Sequence, residues 1–210
     1  MRAARGISIV ELMLSASIFT MVLWGLFSAG PKAVGLFRVN FANSNVDDRA
    51  MHTIDRIVRE VRSAGLDFCT PRLGAPLSSP SLTFQEPSGF DGEVVWGPTT
   101  TIAFELDPGE KSDDIDNDGD GLVDEGRVVW TQNPGLAGEV EVILCRRVTE
   151  LADGEVMNGA DDNGNGLRDE AGLSFEFDGS NLTVRLSLAD LDSTGHQVTR
   201  VIEETVAIRN

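Results

Sequence analysis

The chain has 210 residues, 41% of them hydrophobic, and carries 17 Lys and Arg against 34 Asp and Glu, a formal net charge of -17. That balance argues against a nucleic-acid binder, which needs a basic face to neutralise phosphates. The apolar content argues against an acidic disordered chain, which lacks the surface to bury. The charge is also local: residues 105–125 hold ten acids and one Lys, and residues 150–170 hold seven acids and one Arg. These two windows sum to -9 and -6, so -15 of the -17 lies in them.

The chain opens with Met1-Arg2-Ala3-Ala4-Arg5-Gly6, followed by an apolar run from Ile7 to about Gly30 broken only by Glu11 and small hydroxyl residues. About 20 helical residues at 1.5 Å each cross a bilayer core of about 30 Å, so residues 7–30 are expected to form a transmembrane helix. Arg2 and Arg5 on its N-terminal side place that end in the cytoplasm. A cleaved secretory signal and a plain single-pass anchor compete for this segment. The run exceeds a signal's apolar region and continues into Pro31. A plain anchor leaves Glu11 unexplained, because a carboxylate in the apolar core costs about 2.5–3.5 kcal/mol on insertion scales and marks function.

Gly6, then Ile7-Ser8-Ile9-Val10-Glu11, then an apolar stretch resembles the class III signal of type IV prepilins and type II secretion pseudopilins. The resemblance implies cleavage after Gly6 by a prepilin peptidase, methylation of the new N-terminal Ile7, and an assembly role for Glu11 as the fifth mature residue. In that family phenylalanine is commoner where Ile7 stands. A carboxylate in the bilayer is tolerable if the N-terminal amine of a neighbouring subunit pairs with it as helices stack. Removal of residues 1–6 takes away Arg2 and Arg5, so the mature balance is 15 minus 34, or -19.

Pro31 is expected to bend or interrupt the helix. Beyond it, Val34, Phe37, Phe41, Met51, Ile54, Val58 and Val61 recur at a spacing of three to four, which fits a buried face on residues 31–65, with Gly65 as a stop. The segment Arg59-Glu60-Val61-Arg62-Ser63-Ala64-Gly65 resembles the end of that helix in W-type minor pilins and J-type minor pseudopilins. From residue 66 to 210 short runs alternate with period two: Leu82 and Phe84; Ile102, Phe104 and Leu106; Val140, Val142 and Leu144; Leu173, Phe175 and Phe177; Leu182, Val184, Leu186 and Leu188. Val94 to Trp96, Arg127 to Thr131 and Gln197 to Ile208 are further strand candidates. Strands after one long helix predict an α+β fold. The resemblance implies an antiparallel β domain packed on the second half of the helix.

Two acidic loops, residues 113–126 and 158–171, interrupt the strands. The first contains Asp116-Asn117-Asp118-Gly119-Asp120-Gly121-Leu122-Val123-Asp124-Glu125, and 45 residues later stands Asp161-Asp162-Asn163-Gly164-Asn165-Gly166-Leu167-Arg168-Asp169-Glu170. Calcium takes six to eight oxygens, which a loop supplies from alternate positions with glycine at a sharp turn. Asp116, Asp118 and Asp120 fit positions one, three and five, the Leu122 carbonyl fits seven, and Asp124 or Glu125 closes the site. Asp161, Asn163, Asn165, Leu167, Asp169 and Glu170 are the second set, with less ligand charge. Position twelve is Arg127 or Gly172, so the loops are closer to the short repeats of thrombospondin type 3 than to EF-hands. A second register, from Asp114 with Glu125 at position twelve, is spoiled by Gly121 and by Gly159 in the other loop. The competing reading is a solvated acidic turn, since Asp, Asn and Gly all suit turns; five carboxylates in ten residues favour Ca2+. Magnesium fits less well because it keeps its waters.

Cys69 and Cys145 fall outside the membrane, where a disulfide is permitted, and both a bridge and two free thiols are open. His52 and His196 stand near no nucleophile, and no phosphate loop, dinucleotide fingerprint or zinc-spaced cluster is present. The resemblance implies a non-enzymatic function: a minor pilin or minor pseudopilin anchored in the inner membrane with its C-terminal domain in the periplasm, whose partners are other pilin subunits and the prepilin peptidase/methylase. The alternatives are a type II secretion role, a calcium-dependent adhesive module carried on a pilin-like anchor and, weakest of all, a tethered enzyme.

Overall fold

The computed structural model describes residues 8–192 and 194–208, and side chains within these bounds except for 28–43. Gly6 and Ile7 lie outside the described residues. The chain divides into two compact units, residues 1–41 and 42–210. One helix, α1 (Ile9–Val61), supplies the described part of the first unit and the beginning of the second.

In the first unit, Ile9–Phe27 is a 19-residue stretch of mean hydropathy 1.9 with none of it buried, long and apolar enough to cross a bilayer core of about 30 Å. Its hydroxyl residues do not spoil it, because each donates back along the helix: Ser15 to the Glu11 carbonyl at 2.8 Å, Ser17 to the Leu14 carbonyl at 2.8 Å, and Thr20 to the Ala16 carbonyl. A hydroxyl satisfied within its own helix needs no water. Pro31 does not interrupt α1. It removes one hydrogen bond of the ladder, a cost that a long apolar helix absorbs.

In the second unit, α1 buries Val46, Ala50, Thr53, Ile54, Ile57, Val58 and Val61. Ile54, Val58 and Val61 are buried as expected, whereas Met51 is 54% exposed and the small Ala50 is buried beside it; Val34, Phe37 and Phe41 lie outside the residues whose side chains are described. A helix pressed closely on a sheet favours a side chain of one carbon at such a point. After a turn, Gly65 opens a 3-10 turn, Leu66–Phe68. A Cβ on Gly65 would stand 2.3 Å from the Trp96 ring, and that ring lies 4.4 Å, centroid to centroid, from Phe68. The helix ends at Val61, before the expected stop at Gly65, and the glycine makes room for the indole.

Among the described residues seven antiparallel strands follow: β1 (Ser81–Phe90), β2 (Val94–Leu106), β3 (Gly126–Gln132), β4 (Val140–Val148), β5 (Leu173–Asp178), β6 (Asn181–Leu191) and β7 (Gln197–Ala207). They form one sheet in the order β1-β2-β3-β4-β6-β5, with β7 also paired to β6. The order departs from sequence because β4 meets β6 at Val148 and Leu188, beyond the end of the β5 ladder. A backbone bridge between Ser79 and Phe175 joins β5 to the segment leading into β1. The sheet face made by Leu82, Phe84, Ile102, Val128, Leu173, Phe175, Leu182, Val184, Leu186 and Leu188 shares one core cluster with Ile54, Ile57, Val58 and Val61 of α1. A fully buried aliphatic or aromatic side chain contributes about 1.5–3 kcal/mol, so this cluster carries the domain's stability. Ion pairs bind its margin: Asp190 on β6 accepts Arg49 of α1 at 2.8 Å and also Arg147 of β4, while Arg185 on β6 joins Glu176 of β5 at 2.7 Å and Glu203 of β7 at 3.0 Å.

The period-two runs mark strands correctly, with two corrections to their detail. Val94 to Trp96 and Ile102 to Leu106 are one strand, continuous through Gly97-Pro98; the β1 register slips between Gln85 and Pro87 opposite this point. A proline within a strand belongs at such an irregularity. On β4 the expected inward residues Val140, Val142 and Leu144 are exposed or half-buried, and Cys145 and Val148 are buried instead. The β3–β4 register shifts between Val128 and Val129, whose partners are Cys145 and Ile143, so Leu144 is the extra residue. One extra residue exchanges the two faces of a strand.

Cys69 and Cys145 are both buried free thiols. Thr70, next to Cys69, bridges Thr83 on β1, whereas Cys145 is on β4. Three inter-strand steps of about 4.8 Å separate these strands, more than the 4.4–6.8 Å or so that a disulfide spans between Cα atoms. Burial raises the Cys69 thiol to about 11 and raises Cys145 as well, so both are unreactive near neutrality. Alkylation without reductant is expected to add two groups in denaturant and none to the native chain, read by intact mass; no addition in denaturant would show a bridge.

Candidate metal centre

The two acidic loops occupy equivalent places in the sheet. The first joins β2 to β3 and the second joins β4 to β5. Each is closed at its base by a backbone hydrogen bond: Asp107 N–H to the Glu125 carbonyl at 3.1 Å, and Ala152 N–H to the Glu170 carbonyl at 2.9 Å. Each then turns through a bond of 3.0 Å, from Glu110 N–H to the Asp107 carbonyl and from Glu155 N–H to the Ala152 carbonyl. The 45-residue repeat thus extends in space over residues 107–125 and 152–170, well beyond the ten-residue motif.

Within each loop the acids and amides cap the backbone, as short polar side chains in turns do. Asp116 accepts the N–H groups of Gly119 at 2.6 Å and Gly121 at 2.9 Å, and Asp161 accepts those of Gly164 at 2.7 Å and Gly166 at 2.9 Å. Asp118 and Asn163 each accept the N–H two residues on at 3.0 Å, while Asp120 and Asn165 do so at 2.9 and 2.8 Å. Gly121 and Gly166 have φ of +95° and +94°, values that favour glycine at the bend. Leu122 and Leu167 are each 1% exposed and pin the loops to the domain.

The structure brings Asp116, Asp118 and Asp120 together, with one oxygen of each within 4.8 Å of the others. It forms a second group at the same spacing from Glu110, Asp118 and Glu125. Glu110 is the member that sequence reading missed. Its carboxylate is buried and accepts Asn117 and Asp118 N–H through Oε1 at 2.9 and 2.8 Å, and Asp124 N–H through Oε2 at 3.3 Å. Glu155 accepts the equivalent N–H groups of Asp162, Asn163 and Asp169 at 3.1–3.2 Å. The signal was present in the pairs Gly109-Glu110 and Gly154-Glu155, 45 residues apart.

Of the two acids that could close each site by sequence, Asp124 or Glu125 and Asp169 or Glu170, the first of each pair turns its carboxylate elsewhere. Asp124 accepts Asp113 and Asp114 N–H at 3.2 and 2.7 Å, and Asp169 accepts Asn158 and Gly159 N–H at 2.7 and 2.8 Å. Glu125 and Glu170 point inward instead, each 2% exposed. Glu125 Oε2 is buried with no hydrogen-bond partner. Burial raises the Glu125 carboxyl to about 7; its own backbone N–H opposes the shift, and the charges of Asp120, Glu110 and Asp118 add to it. Burial also raises Glu170, opposed by hydrogen bonds from Asn165 and Asn163 and by the Arg185 charge.

Two carboxylates at this spacing repel by about 3 kcal/mol at an effective dielectric of about 20. A hard divalent cation relieves that repulsion and uses oxygen donors only. The first loop fits such an ion: it offers several carboxylate oxygens, a buried orphan among them, and no sulfur or imidazole. His52 and His196 are both exposed and stand on α1 and in the β6–β7 turn. Compared with known proteins, the chain matches no family model, no curated protein and no solved structure.

Proposed function

We propose that the chain is a minor pilin or minor pseudopilin, a non-enzymatic subunit of a type IV pilus-like filament. In this reading a prepilin peptidase cuts after Gly6, Ile7 becomes the methylated N-terminus, and α1 holds the protein in the inner membrane until assembly. The observation that carries it is the fully exposed apolar stretch Ile9–Phe27 with a single carboxylate, Glu11. A free-standing anchor gains nothing from a charge at that depth, whereas a packed array of helices can pair it with a neighbouring amine. Support also comes from α1 continuing into a helix face packed on an antiparallel sheet. The acidic loops are calcium-ordered connections in the exposed domain, a reading supported by the orphaned Glu125 oxygen. A pilus role and a type II secretion role share all these features.

Processing is the direct test. Co-produced with a prepilin peptidase, the full chain is expected to lose residues 1–6 and gain one methyl group at Ile7, read by intact mass and N-terminal fragmentation. A chain that stays whole, or is cut after a small residue beyond the apolar stretch, would replace this reading with a plain anchor or a secretory signal.

A further inference from the structure

The geometry points to one divalent-cation site in this chain, in the first acidic loop, with Glu110, Asp118 and Glu125 as its inner donors and Asp116 and Asp120 beside them; the second loop fills the equivalent space with its own amides. This rests on the cation reading proposed above and narrows it from two loops to one.

The contrast between two loops of nearly identical backbone isolates the cause. Five carboxylates face the first loop's interior, at positions 110, 116, 118, 120 and 125; the second keeps three, at 155, 161 and 170, because Asn163 and Asn165 replace Asp118 and Asp120. Those amides are oriented by the backbone. Asn163 Oδ1 accepts Asn165 N–H and Asn165 Oδ1 accepts Leu167 N–H, so both Nδ2 groups turn inward and donate to Glu170 Oε1, Asn165 at 2.5 Å and Asn163 at 3.4 Å. Rotating either amide would lose its backbone bond and set an oxygen against Glu170. The Arg185 guanidinium adds positive charge on the same side. Glu170 Oε2 still lacks a hydrogen bond, but its carboxylate is partnered through Oε1.

Nothing equivalent serves Glu125. Its Oε2 is buried and without a partner, and the side chains grouped with it are Glu110 and Asp118, both acidic. Among the ion pairs of the described residues, one reaches these five carboxylates, Arg147 to Asp120 at 3.8 Å, and that arginine binds Asp190 more closely. The other four inner carboxylates have no ion pair among the described residues, which leaves their charge to a bound cation. An all-oxygen, carboxylate-rich donor set selects calcium over zinc, which favours sulfur and nitrogen, and over magnesium, which keeps its waters.

The test uses the full chain in detergent, stripped with chelator and titrated calorimetrically with calcium, each variant checked by circular dichroism. The wild type is expected to take one calcium. Asp118→Asn/Asp120→Asn is expected to take none while remaining folded, since the second loop shows that asparagine fits both positions. Asn163→Asp/Asn165→Asp is expected to take two. A wild type that binds two ions, a first-loop variant that keeps one, or a second-loop variant that gains none overturns the assignment and leaves a cation reading standing. A wild type that binds no calcium overturns both.

Discussion

Millimolar calcium is expected to raise the melting temperature of the chelated full-length chain by about 5–10 °C near neutral pH. A ligand present at about 100 times its dissociation constant and bound only by the native state adds about 2.7 kcal/mol. A domain of this size shifts by about 2–4 °C for each kcal/mol. The pH dependence of the chelated protein gives an independent signature. Glu125 has its native pKa raised to about 7 from an ordinary 4.5, so between those values the native state binds more protons than the unfolded chain. Stability therefore falls as pH rises through that window, by up to about 3 kcal/mol, and is recovered on acidification from about pH 8 to about pH 5. Calcium holds the carboxylate ionised, so its benefit is largest at the alkaline end and fades on acidification. Scanning calorimetry at several pH values, with calcium and with chelator, reads both trends. Equal melting temperatures with and without calcium throughout would contradict the cation account of the first loop.

The second large effect is expected at Glu11. Replacing it with leucine removes the only carboxylate of the Ile9–Phe27 stretch and relieves about 2.5–3.5 kcal/mol of insertion cost. Membrane insertion is then expected to be unchanged or improved, while incorporation into filaments falls at least tenfold because the neighbouring N-terminal amine loses its partner. A gain in insertion together with a loss of assembly separates this role from general damage to the anchor. If Glu11→Leu altered neither, the carboxylate would have no assembly role.

Much of the fold was legible because the buried faces are continuous. Leu82 and Phe84, Leu173 to Phe177 and Leu182 to Leu188 alternate without interruption, and all are buried as their spacing demands. Where the chain breaks its own period, sequence misleads. The extra residue at Leu144 exchanges the faces of β4, and only the pairing register reveals it. On α1, apolar size favoured Met51, whereas close packing selected Ala50. The crossing of β5 and β6 in the sheet order depends on the Val148–Leu188 pairing, which no local pattern encodes.

The acidic loops were legible as a repeat, but the positions of their donors were not. Asp124 and Glu125 are adjacent acids of equal claim by composition. The backbone gives Asp124 to the N–H groups of Asp113 and Asp114 and turns Glu125 inward. Glu110 lay outside the repeated ten residues and joins the cluster through the turn from Asp107. The same 45-residue offset relates it to Glu155, so a longer self-comparison would have found it.

The proposed role as a filament subunit is tested most directly by the chain's distribution between sheared surface or periplasmic filaments and the membrane in the cell that makes it. The processed wild-type chain is expected in the filament fraction, and Glu11→Leu only in the membrane. A wild-type chain found only in the membrane while filaments form around it, or a Glu11→Leu chain that enters filaments as readily as wild type, would contradict it.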